Sequence, residues 1–518
     1  MRDFKRKRMF ILVLCLLIGF ALRFYAFDRK SLWIDEVHTF NDSRVGLSGQ
    51  LKYFKESPAD VLHPPLFYAL TYLWYPFEKP ERDLRIIPLI FGVLSIPMIY
   101  SLSALFSYSI ALPCTLSLAF MTYHISLSQD ARSYSLLMFL GMAGLYFLMK
   151  HLFTLKRIYL FLAGFLFAIS FYTSYSFVPF AFVFQLLLFY QTENQKNKYP
   201  LSSFLILNVV TLLLCMPGIL FMVSNYTRQP QMDIAFIEEF GSFWSILSNM
   251  LNDWVPFAPL TIISVSLLIL FPIFPKNKNN AWILLAILIF PVISIYLFCS
   301  IIKFQHLHSS RYVINSLPIF LISLYLSLHT IEAKIGRWKG LLRLKYLFLI
   351  LFIASNMIIL PLYYHSEKQD FRGLVRYLDG QLRDGDKIFV KSPAYIPGIL
   401  HYFRLFPRNR YYDLPIEWSD AEKHEFQIKL PFLSQERTFT IYYSNTCFSR
   451  YVEDGSRLWI VAGVPAIREI EKNFPCVLKA YFDGSFGNFR RFPSDASMYL
   501  FLWDPQSPDE KGIDLPID

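Results

Sequence analysis

The feature that most limits what this chain can become is a series of apolar runs along its first 364 residues. They lie at about 9–27, 64–78, 86–107, 109–128, 132–150, 157–173, 175–190, 201–223, 257–275, 280–302, 311–330 and 342–364. A helix needs roughly 20 residues to cross a bilayer core of about 30 Å, and most of these runs approach that length. Hydrophobic residues make up 54% of the 518, and the mean hydropathy of +0.37 is too high for a soluble chain of this size. The expected class is a polytopic α-helical membrane protein.

Charge then orders the runs. The 50 lysines and arginines exceed the 39 acidic residues by 11. Much of the excess sits in short loops between apolar runs, which is the positive-inside pattern, and no Arg-rich aromatic module is present. No nucleic acid is expected as a partner. The basic N-terminus (Arg2, Lys5, Arg6, Lys7, Arg8) precedes an apolar run too long for a signal core, so an uncleaved first helix with a cytoplasmic N-terminus is expected. Lys150, Lys156 and Arg157, then Lys196 and Lys198, then Lys276 and Lys278, then Lys334, Arg337, Lys339, Arg343 and Lys345 mark the cytoplasmic junctions. Parity then leaves the run at 64–78 surplus. It is short, opens with His63-Pro64-Pro65 and ends in a charged stretch, so it is expected to lie in the outer interface without crossing. About eleven spanning helices result, in a membrane part of residues 1–364 whose first outer loop is 28–85.

After His365 the composition shifts to Lys, Asp, Pro and Gly, and no run is long enough to span. Phe371, Leu374, Val375 and Leu378 have amphipathic helix spacing. The stretches 387–391, 438–443, 457–461 and 498–502 read as strands, with helices at about 394–403 and 466–474 between them. Residues 365–518 are expected to form a small α/β domain outside the membrane. Cys447 and Cys476 are the two cysteines placed to pair if that compartment is oxidising. No cysteine spacing resembles a zinc or redox motif.

Parity also brings charge to one membrane face. Asp35, Glu36 and His63 come from the first outer loop, Arg85 from its end, Asp130 and Arg132 from the turn after the 109–128 run. Lys303, His306, His308 and Arg311 join them from the loop before the 311–330 run, against the positive-inside bias. Carboxylates beside hydrocarbon are costly and tend to mark functional sites. Each basic residue taken singly reads as an interfacial anchor, and the acidic pair by itself as two solvated loop acids. Together they suit a phosphate-linked lipid substrate. A carboxylate would deprotonate an acceptor, and cations would hold the leaving phosphate as its charge develops. His124 reads as a satisfied polar group of the core, and Tyr172 and Tyr175 as packing residues at a helix break.

Four motifs stand in order: Trp33-Ile34-Asp35-Glu36, then His63-Pro64-Pro65-Leu66-Phe67-Tyr68, then Gln129-Asp130-Ala131-Arg132-Ser133-Tyr134, then Arg311-Tyr312 with Pro318. In this the chain resembles the GT-C-fold glycosyltransferases, the branch containing protein O-mannosyltransferases and the lipid A aminoarabinose transferase ArnT. The resemblance covers about 9–364 and continues weakly at Lys368-Gln369-Asp370-Phe371-Arg372. It implies an inverting, mannosyltransferase-like transfer of a hexose or pentose from a polyprenyl-phosphate carrier to an acceptor on the outer face. By that resemblance Asp35 would be the base, Asp130 the second acidic site residue with Glu36 beside the base, and Arg85 and Arg311 the contacts to the carrier phosphate. His63 stands where relatives place a residue near the headgroup, and Arg132, Lys303 and His306 would complete the phosphate-binding set. The chain departs from many relatives at Tyr172-Thr173-Ser174-Tyr175, where they carry a His. No cofactor is expected, and no convincing metal-ligand set is seen.

The expected partners are a polyprenyl-phosphate-linked sugar, an unspecified extracytoplasmic acceptor and membrane lipids, in a setting such as a bacterial inner membrane. The competing reading is a transporter, flippase or silent binding protein for lipid-linked sugars. Paired broken helices in inverted repeats would favour it, and no clear internal repeat is present.

Overall fold

A backbone surrounded by apolar material must satisfy its own polar groups, and the apolar runs accordingly fold as helices. The computed structural model describes residues 2–49, 64–74, 78–190, 200–226, 243–273, 278–302, 309–335, 343–391 and 395–404, with shorter stretches from 416 to 513. Outside the described residues lie His63, Lys196, Lys198, Lys276, Lys303, His306, His308, Arg337, Lys339 and Cys447, and most of the helix expected at 466–474.

In chain order the helices are α1 (Arg2–Phe24), α2 (Ile34–Arg44), α3 (Leu66–Trp74), α4 (Pro80–Asp83), α5 (Ile86–Phe106), α6 (Tyr108–Phe120), α7 (Thr122–Ser128), α8 (Tyr134–Thr154), α9 (Ile158–Thr173), α10 (Val178–Val183), α11 (Pro200–Tyr226), α12 (Phe243–Trp254), α13 (Ala258–Leu270), α14 (Lys278–Ile302), α15 (Ser316–Ile335), α16 (Leu344–His365), α17 (Phe371–Gln381) and α18 (Ile396–Tyr402). The strands are β1 (Lys387–Val390), β2 (Ile416–Asp420), β3 (Glu425–Pro431), β4 (Thr438–Tyr443), β5 (Leu458–Gly463), β6 (Val477–Phe482) and β7 (Met498–Trp503). They divide into two compact units. One holds Met1–Phe27, Leu47–Pro76 and Arg85–Pro361; the other holds Asp28–Gly46, Phe77–Leu84 and Leu362–Asp518.

In the first unit, six helices among the described residues are long and apolar enough to cross a membrane, or up to eight if two bent pairs each count as one. The bent pairs are Tyr108–Phe120 with Thr122–Ser128, at 60°, and Leu247–Trp254 with Ala258–Ile273, at 108°. The outward leucines of α11 (Leu201, Leu205, Leu213 and Leu220) are all more than half exposed. Apolar surface of that extent requires an apolar surrounding, and the chain is an integral, multi-pass membrane protein. The helix α3 has 9 residues. At 1.5 Å per residue it rises about 14 Å, half of a bilayer core.

The stretch Tyr175–Phe189 shows how a short run gains length. It runs as a 3₁₀ turn, a six-residue α-helix and a second 3₁₀ turn of six residues, Phe184–Phe189. The wider rise of 3₁₀ structure brings it to about 27 Å. Its buried rings cluster, with Phe177 and Phe184 tilted against Phe167 of α9 and Phe180 packed on both of them. Polar side chains tie it to α11, where Asn208 Nδ2 donates to Gln185 Oε1 at 2.7 Å and Gln185 Nε2 returns a bond to Asn208 Oδ1 at 3.1 Å.

Tyr172 does more than pack. Pro217 interrupts α11, and a proline ring there disturbs the adjoining rungs of the helix. The Tyr172 hydroxyl enters the gap, donating to Leu214 O at 2.9 Å and accepting from Gly218 N at 3.1 Å. Gly218 is required there, because a Cβ would stand 2.7 Å from the Tyr172 ring.

The second unit is built on a seven-stranded sheet of order β2-β3-β4-β1-β5-β7-β6. β1 pairs in parallel with β4 and β5, and the other pairings are antiparallel. The four strands expected from the sequence are present, and β2, β3 and β6 complete the sheet. One face buries Ile388, Val390, Trp459, Val461, Leu500 and Leu502 under Phe371, Leu374, Val375 and Leu378 of α17. The other buries Phe389, Leu458, Ile460, Tyr499 and Phe501. Burial on both faces explains why β5 and β7 are apolar at nearly every position rather than at alternate ones.

Replacing Tyr172 by Phe leaves Leu214 O and Gly218 N without that hydroxyl. A loss of about 1 kcal/mol is expected, read as a lower unfolding temperature in detergent with the helical circular dichroism of the folded protein unchanged.

Candidate functional site

Asp35 and Glu36 open α2. Trp33 is its N-cap, so Asp35 is the second helical residue and Glu36 the third. Acidic side chains suit a first turn, where the helix dipole and free N–H groups favour negative charge. Their environments differ. Glu36 is buried, and its Oε2 accepts from Trp33 N at 3.3 Å, closing the helix start. Asp35 is half-buried at the same turn.

The segment leading into α2 has no regular structure of its own and is held by residues 367–372. Glu367 Oε2 accepts from Ser31 N at 2.9 Å and Gln369 Oε1 from Ile34 N at 3.1 Å. Arg372 donates to Arg29 O at 2.9 Å and Lys30 O at 3.2 Å, while its own amide donates to Ser31 Oγ at 3.2 Å. Lys368 Nζ lies 4.7 Å from the centre of the Trp33 ring, and Lys30 Nζ donates to Tyr363 O. The stretch Lys368–Arg372 is thus a strap that fixes where Asp35 begins its helix.

Glu81 braces the strap. Its Oε1 accepts from Arg372 Nη2 at 3.0 Å and from the Tyr402 hydroxyl at 3.1 Å, and that hydroxyl accepts from Leu32 N at 2.7 Å. Beside Tyr402, His401 is buried edge-on against Phe40 of α2, with ring centres 4.8 Å apart. Burial pushes the His401 imidazole down to about 4, helped by Arg44 and Arg372 and opposed by Glu81.

The first unit holds Arg85, Asp130, Arg132 and Arg311. Asp130 is 1% exposed and sits in a tight turn, with Arg132 N donating to Asp130 O at 2.6 Å. The turn is docked by its neighbour. Gln129 Nε2 donates to Arg23 O and to Tyr25 O, both at 2.8 Å, and so caps the carbonyl end of α1. Arg85, also buried, reaches the same stretch, with Nη1 donating to Phe27 O at 3.0 Å. Arg132 Nη1 meets the Tyr68 hydroxyl at 3.5 Å.

Arg311 lies on a 3₁₀ turn, Ser310–Val313, with its guanidinium 5.8 Å from the Tyr134 ring centre and 5.4 Å from that of Tyr312. Tyr134 and Tyr312 meet edge to face at 6.0 Å. Arg311 therefore stands at the first turn of α8, two residues after Arg132. The sequence reading missed Asp253, whose Oδ2 accepts from Ser310 Oγ at 2.6 Å. An acid next to a tryptophan at a helix end carries no signal of that contact.

Asp35 and Glu36 belong to one unit and the four basic and acidic residues just described to the other. His63, Lys303 and His306 lie outside the described residues. Among the described residues, no group of three or more His, Cys, Asp or Glu side chains is arranged to hold a metal ion.

Comparison with solved structures places the fold. The chain superposes on ArnT from Cupriavidus metallidurans in the apo state with a TM-score of 0.53 at 12% identity, covering 96% of this chain and 98% of that one. It superposes on the same protein bound to undecaprenyl phosphate with a TM-score of 0.51 at 11% identity, covering 95% and 97%. The fold is therefore the GT-C fold of ArnT over nearly its whole length. No family model and no curated protein sequence matches the chain.

The buried His401 gives the second unit a pH dependence whose sign is fixed. Its folded value lies below that of an unfolded histidine, so unfolding takes up a proton between about 6.5 and 4 and stability falls as pH drops through that window. A loss of about 3 kcal/mol is expected between pH 7.5 and 4. Thermal unfolding of that unit followed by fluorescence should show it, and His401→Phe should flatten it.

Proposed function

We propose that this protein is a membrane glycosyltransferase that moves a sugar from a polyprenyl-phosphate carrier to an acceptor on the extracytoplasmic face. The observation that carries the reading is the near full-length likeness in fold to ArnT, a protein solved with undecaprenyl phosphate bound. The residues of the four motifs add support. Carboxylates and guanidinium groups are kept buried at real cost, and acids and cations are what a phosphate leaving group and a proton-bearing acceptor require.

In this reading Asp35 takes the proton from the acceptor hydroxyl or amine. The acceptor attacks the anomeric carbon opposite the phosphate, the bond from that carbon to the phosphate oxygen breaks, and the configuration inverts. The carrier leaves as its monophosphate, its charge met by Arg85 and Arg311, with Arg132, His63, Lys303 and His306 on the same headgroup. Asp130 orients acceptor or sugar. Glu36 serves the site by fixing the turn on which Asp35 stands. The sugar is a hexose or pentose, and the setting is a bacterial inner membrane with the N-terminus cytoplasmic and residues 365–518 outside.

Among the described residues the structure has six helices long and apolar enough to span, or up to eight with the two bent pairs, and three shorter apolar helices, Met9–Phe24, Ile158–Thr173 and Tyr175–Phe189. With the near 27 Å rise of the last, these three serve as spans in this reading.

The test is transfer by purified protein in nanodiscs from a panel of polyprenyl-phosphate sugars. Turnover by the wild type is expected, with a loss of at least about 1,000-fold in Asp35→Asn, which keeps the shape of the base and removes its charge. Arg311→Ala should lower kcat/KM and weaken binding of the sugar-free carrier phosphate together. Carrier binding without turnover in any arm would point instead to a flippase or binding protein, and full activity in Asp35→Asn would remove Asp35 from the base role.

A further inference from the structure

Between α6 and α7 the helix breaks at Met121 and turns by 60°. Sharp kinks in helices have local causes such as proline, glycine or a π-bulge, or else a side chain inserted into the hydrogen-bond ladder. The sequence at the break, Leu118-Ala119-Phe120-Met121-Thr122-Tyr123-His124, has neither proline nor glycine, and Pro113 lies eight residues upstream of Met121. By composition, residues 108–128 would make one continuous helix of about 31 Å, a good match to a bilayer core.

Side chains from two other helices occupy the broken rungs. Arg23 of α1 is fully buried. Its Nη2 donates to Leu118 O at 2.9 Å and its Nη1 to Ala119 O at 3.0 Å, the carbonyls that Thr122 N and Tyr123 N would take in a continuous helix. Thr122 N donates instead to Asn356 Oδ1 of α16 at 2.8 Å, and the Thr122 hydroxyl donates to Asn356 O at 2.9 Å. Arg23 Nη2 also meets His124 Nδ1 at 2.7 Å. A guanidinium only donates, so Nδ1 accepts and the proton sits on Nε2. Gly92 of α5 admits the far end of α7, since a Cβ there would stand 2.1 Å from Ser128 Oγ.

We propose that Arg23 and Asn356 are positioning residues that hold this break open and thereby set where Asp130 stands. Asp130 follows α7 by two residues, and α7 is an arm of about 10 Å. Straightening it by 60° would carry the Asp130 turn about 10 Å from its present place. A displacement of 1 Å in a reacting group can cost about 100-fold in rate. The catalytic consequence rests on the transferase reading; the geometric one does not.

The experiment compares wild type, Arg23→Lys and the double variant Arg23→Met with Asn356→Leu, in nanodiscs. Spin labels at Tyr108 and Ser126 report the bend, and sugar transfer and unfolding temperature are read on the same proteins. In the double variant the ladder can close, so the label distance should lengthen by about 3 Å. The unfolding temperature should hold within a few degrees, and kcat should fall at least about 100-fold with donor KM within threefold. Arg23→Lys keeps a donor for the carbonyls and should retain the wild-type distance and most of the turnover. A merely structural role would instead lower the unfolding temperature and leave turnover per folded molecule unchanged. An unchanged distance in the folded double variant overturns the proposal, and a lengthened distance with full turnover overturns the link to Asp130. A lengthened distance in a protein whose wild type transfers no sugar would sink the transferase reading and leave standing the role of Arg23 and Asn356 in holding the break. If the double variant does not fold, Asn356→Leu alone is read for the same lengthening and loss, and their absence there is equally decisive against the proposal.

Discussion

A backbone carbonyl or N–H inside an apolar bundle has no water to fall back on, and that constraint shapes the first unit wherever a helix is interrupted. At Met121 the freed carbonyls go to Arg23 and the freed N–H to Asn356. At Pro217 one tyrosine hydroxyl serves both sides of the broken rung. In each case the residue that makes the interruption tolerable comes from another helix. The interruptions are thus features of the assembled bundle, and each supplying side chain is a place where the bundle sets the course of a helix.

The second unit solves a different problem with the same means. The segment before α2 is short and irregular, yet it must deliver Trp33 and Asp35 in a fixed orientation. Carboxylate, amide and guanidinium groups from Glu367, Gln369 and Arg372 take its backbone groups in turn, and Glu81 with Tyr402 braces the arrangement from the other side. Two adjacent acids stand at that helix start: Glu36 accepts from Trp33 N and is buried, and Asp35, one position before it, is half-buried.

Much of the fold was legible in the residues. Apolar runs of near spanning length became helices, and within 64–78 the described residues form the nine-residue Leu66–Trp74. The amphipathic spacing at Phe371–Leu378 became the helix that covers the sheet. Of the strands, β2, β3 and β6 were missed. Charged and polar residues interrupt them, as in Glu425-Phe426-Gln427-Ile428-Lys429, and an alternating pattern that short is hard to tell from a loop. Of the candidate site, the motif residues were legible because charge in an apolar context is conspicuous. Arg23 was the exception. It lies at the end of an apolar helix, where an arginine ordinarily snorkels toward headgroups, and nothing near it in sequence indicates that it faces inward.

The sequence by itself determined that this is a multi-pass helical membrane protein with a sheet-containing C-terminal part, because hydropathy and strand patterning act locally along the chain. It also determined which side chains are chemically able to serve a phosphate-bearing lipid, because those are properties of residue types. Only the tertiary structure decided that Thr122 begins a new helix direction, that Lys368–Arg372 holds the start of α2, and that Tyr172 completes α11. The reason is physical: the deciding hydrogen bonds join residues separated by as many as 343 positions, and no local pattern encodes which distant side chain will fill a given broken rung.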